Sequence, residues 1–106
     1  MEVIDTCMLL DFYGQLLTER MRSLMELHYA EDMSLAEIAE QENISRQAVY
    51  DSIHRGVKAL MDYESKLGLI ERFTKQQQAV HEAVIALENK EYLTAHTVLT
   101  ELMNTL

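Results

Sequence analysis

The chain has 106 residues and a mass of 12.3 kDa, room for one domain or a compact module with an extension, which excludes barrels and doubly wound nucleotide-binding sheets. A hydrophobic content of 48% with 25% charged residues is the composition of a chain that folds. The net charge of −9, from 18 acids against 9 Lys and Arg, with a sequence pI near 4.8, sets the protein as a whole against phosphate polymers and anionic lipid, so a nucleic-acid role requires a local patch.

Proline is absent and only Gly14, Gly56 and Gly68 break a sequence rich in Leu, Met, Ala, Glu and Gln, which predicts an all-α fold. Residues 1–17 are densely apolar, and Val3, Ile4, Cys7 and Met8 have helical spacing, so a packed first helix is expected there. Thr18 is suited to an N-cap and Glu19 to a first turn. Met21, Leu24, Met25 and His28 then mark one face of a second helix ending near Tyr29. Ser34-Leu-Ala-Glu37 is a capping box, flanked by Met33 and Ile38 as a hydrophobic staple, and its helix should end at Gln41 or Glu42. Asn43 can take the left-handed conformation of a helix stop, and Ser45 caps the next helix with Ile44 and Val49 as a second staple. In that helix Val49, Ile53, Gly56, Val57 and Leu60 share one face. Gln47, Asp51, His54, Arg55 and Lys58 share the other, with Tyr50 at the border.

The apolar stripe continues through Tyr63 and Leu67, and a second begins at Ile70 and steps through Phe73, Gln77, Val80, Val84 and Leu87. The latter is a coiled-coil-like seam. The two meet out of phase at Gly68, where the helix should stop or kink. A last helix is expected to carry Tyr92, Ala95, Leu99, Leu102, Met103 and Leu106 on one side. Residues 1–67 are thus expected to form a core and residues 68–106 a helical hairpin that serves as a dimerisation or packing element. Surface of this hairpin left over by a chain so short points to a homodimer, with Gln77 fixing register; folding back onto the first helix is the alternative.

Capped helix, short turn, capped helix is the arrangement of a helix-turn-helix, whose second helix enters the major groove; a purely structural helical corner has the same geometry. The outward face around residues 44–60 carries Arg46, Arg55 and Lys58 against Asp51, while residues 19–42 carry seven acids against Arg20 and Arg22. Enzymatic signatures are missing. The four histidines are dispersed, and His81-Glu82 has Ile85 where a zinc-protease motif needs its second histidine. His28 is expected to be a hydrogen-bonded core residue and His96 to flank the last hairpin. Cys7, Met8, Met21 and Met25 are assigned to the core. No disulfide, metal or other cofactor is expected, and no glycine-rich phosphate loop is present. The longest apolar run, Ala83 to Leu87, is five residues, and the chain opens with acids where a secretory peptide needs cations. Neither membrane insertion nor export is therefore expected, and the cytoplasm is the expected location.

The stretch from Thr18 to Leu60, with Glu-Leu-His-Tyr at 26–29, Ser-Leu-Ala-Glu-Ile-Ala at 34–39 and Ile-Ser-Arg-Gln-Ala-Val at 44–49, resembles the promoter-reading C-terminal domain of bacterial sigma factors. Leu-Asp-Phe-Tyr-Gly-Gln-Leu-Leu-Thr at 10–18, Ser-Arg-Gln-Ala-Val-Tyr-Asp at 45–51 and Asp-Tyr-Glu-Ser-Lys-Leu at 62–67 resemble the YlxM-like family of small bacterial proteins over residues 8–90. That resemblance implies a cytoplasmic, all-helical, sigma-like helix-turn-helix protein thought to assist or regulate the signal recognition particle pathway, with no enzymatic activity. Its partners would be the particle's protein or RNA. Carried over by position, Ser45, Arg46, Gln47, Tyr50 and Asp51 would begin the recognition helix, with Arg55 and Lys58 nearer phosphate and His54 on the same face. Asn43 departs from the glycine usual in a sigma-type turn. The favoured expectation is a non-enzymatic accessory or regulatory protein of that pathway. Its rivals are a sequence-specific DNA-binding regulator that uses residues 45–58 and a helix-turn-helix kept purely for assembly.

Overall fold

A computed structural model describes residues 5–106; the expectations for Val3 and Ile4 lie outside it. Six α-helices follow in chain order: α1 (Thr6–Tyr13), α2 (Glu19–Tyr29), α3 (Leu35–Glu42), α4 (Arg46–Leu67), α5 (Leu69–Glu88) and α6 (Tyr92–Thr105), with a 3-10 turn, Gly14–Leu16, after α1. Among the described residues there is no strand, and the fold is the all-α helix-turn-helix expected. The chain divides into two compact units, residues 1–68 and 69–106.

In the first unit, α4 is the central element, packed by α1, α2 and α3. Its ends and those of its neighbours are set by local hydrogen bonds. The Thr18 hydroxyl accepts from the Met21 amide at 3.2 Å, and Ser34 and Glu37 exchange both bonds of the capping box, each at 3.1 Å. Hydrogen bonding by Ser34, its amide first and then its hydroxyl, holds the Glu37 carboxyl below the ordinary carboxylate range. Asn43 closes α3 in the left-handed region (φ 55°), with the Ile44 amide donating to the Ala39 carbonyl at 3.1 Å in a Schellman arrangement. Two residues later the Ser45 hydroxyl accepts from the Ala48 amide at 3.0 Å and starts α4. Leu9, Tyr13, Leu24, Met25, Ile38, Val49, Ile53 and Leu60 are buried and form this unit's core.

Four expectations need correction here. The first helix ends at Tyr13 rather than running to residue 17, because the chain tightens into the 3-10 turn and Leu16 is left exposed. Cys7 is exposed, not core, and Met8 and Met21 are only half-buried; of these sulfur residues Met25 alone is sealed. Beyond Leu60 the buried position is Glu64, one turn on, while Leu67 is 51% exposed. Glu64 is tolerated because the Tyr13 hydroxyl donates to its Oε1 at 2.5 Å, and Tyr13 stacks on Tyr63 with ring centroids 6.1 Å apart. A buried carboxylate bond of this kind is worth about 2 kcal/mol. Tyr13→Phe should therefore lower the unfolding free energy by about that amount, a drop on the order of 10 °C in melting temperature for so small a unit. Unchanged urea and thermal midpoints would show the bond to be dispensable.

Gly68 caps α4 in the left-handed conformation (φ 62°), so the stop or kink expected from the phase break is a true helix end. In the second unit, α5 and α6 pack on each other as a hairpin, turning through Asn89 to Glu91 with Lys90 at φ 61°. The packed seam differs from the one periodicity suggested. Ala83, Ala86 and Ala95 are buried, with Ala79, Val98 and Leu102 half-buried beside them. Of the Ile70–Leu87 stripe only Ile70 is buried, and Phe73, Gln77, Val80, Val84 and Leu87 are exposed. Likewise Tyr92, Leu99 and Met103 of α6, and Leu106 just beyond it, lie outside the packed seam and are exposed. Small side chains let two helix backbones approach closely, so the alanines take the contact and the larger residues are turned aside.

Candidate nucleic-acid interface

The face of α4 opposite its packed side is solvent-exposed over its first four turns. Arg46, Gln47, Tyr50, Asp51, His54, Arg55 and Lys58 all lie on it and are all exposed. The structure therefore brings every candidate of the outward face onto one helix surface. Ser45 stands at its start, engaged as the N-cap. What holds this face outward is the burial of Val49, Ile53 and Gly56 on the other side. α4 approaches α2 so closely at Gly56 that a Cβ there would collide with Met25 Sδ and lie 3.3 Å from Met21 Cγ. This glycine fixes how α4 seats on the core, a role that its place in the apolar stripe does not announce.

Three local features shape the surface. The Gln47 carboxamide donates to Asp51 Oδ1 at 2.9 Å, which covers the one acid of the face with a polar neighbour one turn earlier. Tyr50 and His54, also one turn apart, stack with centroids at 5.8 Å and an interplanar angle of 10°. They form a flat aromatic platform, and their four-residue spacing is the sequence signal for it. Shallow hollows flank the helix, one lined by Leu35, Arg46, Gln47 and Tyr50 and another by His28, Tyr29, Ile53 and His54 among others. His28 is half-buried, its Nδ1 2.8 Å from the Met33 carbonyl oxygen, so it secures the turn between α2 and α3 as a hydrogen-bonded residue.

The electrostatics are divided. Arg20 pairs with Glu42 at 3.0 Å and Arg22 with Glu26 at 3.7 Å, so the cations of α2 are engaged by acids. Arg46, Arg55 and Lys58 are in no ion pair among the described residues. With Lys66 at the far end of α4 they are the available positive charge in a unit that holds thirteen acids against six Lys and Arg. Chemically the face offers guanidinium, carboxamide, phenol and imidazole groups on an exposed helix start, the inventory that contacts base edges and phosphates. It offers no assembled catalytic group. Desolvation, then the Asp5 carboxylate, pushes the Cys7 thiol above its ordinary value, the opposite of an activated nucleophile. Among the described residues no cluster of three or more His, Cys, Asp or Glu could hold a metal ion, and no helix is long and apolar enough to cross a membrane.

Comparison with known proteins agrees with this geometry. UPF0122 proteins from Desulforamulus reducens (47% identical over 81 residues, 76% of this chain and 69% of the relative), Bacillus mycoides (46% over 85 residues, 80% and 77%) and Lactococcus lactis (47% over 85 residues, 80% and 77%) are similar to it. The family described as YlxM / p13-like helix-turn-helix proteins matches residues 2–100, and with nearly the whole length so matched, this chain belongs to the UPF0122 family.

Proposed function

We propose that this protein is a non-enzymatic regulatory protein that acts by laying the start of α4 against a nucleic-acid duplex. The observation that carries this reading is the unobstructed polar face from Arg46 to Lys58, exposed along its length and bearing three of the unit's four cations that are in no ion pair among the described residues. Arg46 and Gln47 occupy the first turn, where a recognition helix meets base edges; Arg55 and Lys58 lie farther along, suited to phosphate. Tyr50 and His54 supply a stacked platform between them.

The same charges limit affinity. Three cations allow about three phosphate contacts, so binding should fall ~40-fold between 50 and 200 mM salt, within a repulsive field of −9. Random duplex DNA should therefore bind at ~10 µM or weaker near physiological salt. Fluorescence anisotropy with a labelled random duplex checks this, and sub-micromolar binding at physiological salt is the result that contradicts it.

A second reading, an accessory role in the signal recognition particle pathway, rests on the family resemblance and gains support from the acids of α3 and of the link that precedes it. Glu31, Asp32, Glu37 and Glu40 are exposed and would suit a basic protein surface. The two readings use different faces. A binding screen against duplex DNA, the particle's protein and its RNA, with Arg46→Ala and Glu40→Lys variants, separates them by which substitution removes binding.

A further inference from the structure

The second unit has an apolar face that its own hairpin packing leaves uncovered. On α5 the buried alanines and the stripe of Gln77, Val80, Val84 and Leu87 are set apart by roughly 100° at 100° per residue. On α6, Ala95, Val98 and Leu102 are separated from Tyr92, His96, Leu99 and Met103 by a similar angle. Because the helices run antiparallel, these two rotations carry both stripes to the same side of the hairpin. Val80, Val84, Leu87 and Leu99 are 42–48% exposed, and Tyr92 and Met103 more than 60%. None of these eight positions holds Asp, Glu, Lys or Arg. The unit as a whole is nearly balanced, with five acids against three Lys and Arg, while the first unit carries most of the negative charge. Absence of charge is the mark of an interface centre.

The polar positions say what covers it. Opposed in the hairpin, the stripes form layers: Leu87 with Tyr92, Val84 with His96, Val80 with Leu99, and Gln77 with Met103. The two polar residues thus stand one layer either side of Val80 and Leu99. A two-fold axis through that central layer, perpendicular to the helices, places Gln77 of one copy in the same layer as His96 of the other, twice over. Each carboxamide then shares a layer with an imidazole able to satisfy it, as buried polar groups require. A right angle between packed seam and exposed stripe is also what each helix of a four-helix bundle needs. An α5 of 20 residues and an α6 of 14 residues, ~30 Å and ~21 Å long and ~10 Å wide, present on the order of 500 Å² per copy, about 1,000 Å² in total, the area a specific interface must reach. We infer that this face binds a second copy of the chain, the two hairpins lying antiparallel as a four-helix bundle centred on Val80 and Leu99. The inference does not depend on the nucleic-acid reading.

Sedimentation equilibrium of the full chain at tens of micromolar should give twice the 12.3 kDa monomer mass. Val80→Glu with Leu99→Glu should give a monomer of unchanged helicity, the dissociation constant rising ~100-fold or more, since both side chains are exposed in one copy and both charges would be buried in the pair. Independently of that variant, Val80→Cys in a Cys7→Ser background should oxidise to a disulfide-linked dimer, because the axis sets position 80 opposite its own copy. A monomeric full chain, which would leave the face to a foreign protein, overturns the inference, as does a dimer that survives the glutamate pair. A dimer in which position 80 does not cross-link overturns the antiparallel arrangement.

Discussion

Gly56→Val should cost the first unit about 3 kcal/mol, on the order of 15 °C in melting temperature at this size. The new Cβ would collide with the sulfur of Met25, a side chain with 0% exposure, and lie 3.3 Å from Met21 Cγ. α2 must then move off α4 or Met25 must leave its rotamer. The alanine variant separates the steric cost from backbone propensity. Gly→Ala inside a helix gains about 1 kcal/mol, so Gly56→Ala should lose only about 1 kcal/mol net. Combining Gly56→Ala with Met25→Ala should be less destabilising than the sum of the single changes, by roughly 1–2 kcal/mol. Additive behaviour in urea denaturation would show that the close approach of α4 to α2 is not the constraint.

Arg46→Ala with Gln47→Ala should leave folding nearly unchanged and remove sequence discrimination. Both side chains are exposed, and the N-cap bond belongs to Ser45, so the melting temperature should move by no more than a few degrees, the effect of an ordinary surface change. A bidentate base contact is worth about 1–3 kcal/mol of discrimination. Losing one or two should cut the preference for a duplex selected from a random library by roughly ten- to a hundred-fold. Gln47→Ala also releases the Asp51 carboxylate that the carboxamide now engages, which adds repulsion. Retained preference in the double variant would place the reading elsewhere; a large loss of stability would mean that the start of α4 is packed.

The helix-turn-helix was legible because its boundaries are local chemistry. Thr18, Ser34 with Glu37, Asn43 and Ser45 each act within a few residues, and the structure uses every one of them as its residue type suggests. Gly68 belongs to the same class, since a left-handed helix end favours glycine. Periodicity was less reliable where it had to say what covers an apolar stripe. In α5 it found Val80, Val84 and Leu87, which are large and regularly spaced, and passed over Ala79, Ala83 and Ala86, which make the contact. Alanine adds little to an apolar pattern, yet closeness of backbones is what small residues permit. The exchange of Glu64 for Leu67 at the end of α4 has a similar origin. A buried glutamate depends on a tyrosine hydroxyl 51 residues away, and no local pattern encodes a partner at that distance. The polar face of α4 followed directly from helical spacing; the seating of that face by Gly56 did not, because it depends on Met25 in another helix.

The succession of caps from Thr18 to Ser45 bears on how quickly the protein reaches its native state. Each stop and start between α2 and α4 is set by groups no more than six residues apart, so the turn can be specified while the rest of the chain is still searching. Chains dominated by such short-range contacts fold in microseconds to milliseconds, because little loop-closure entropy must be lost before contacts form. Here that places the three helices of the turn among the early events, and leaves the union of Tyr13 with Glu64, which closes a loop of some fifty residues, as the slow step in completing the first unit.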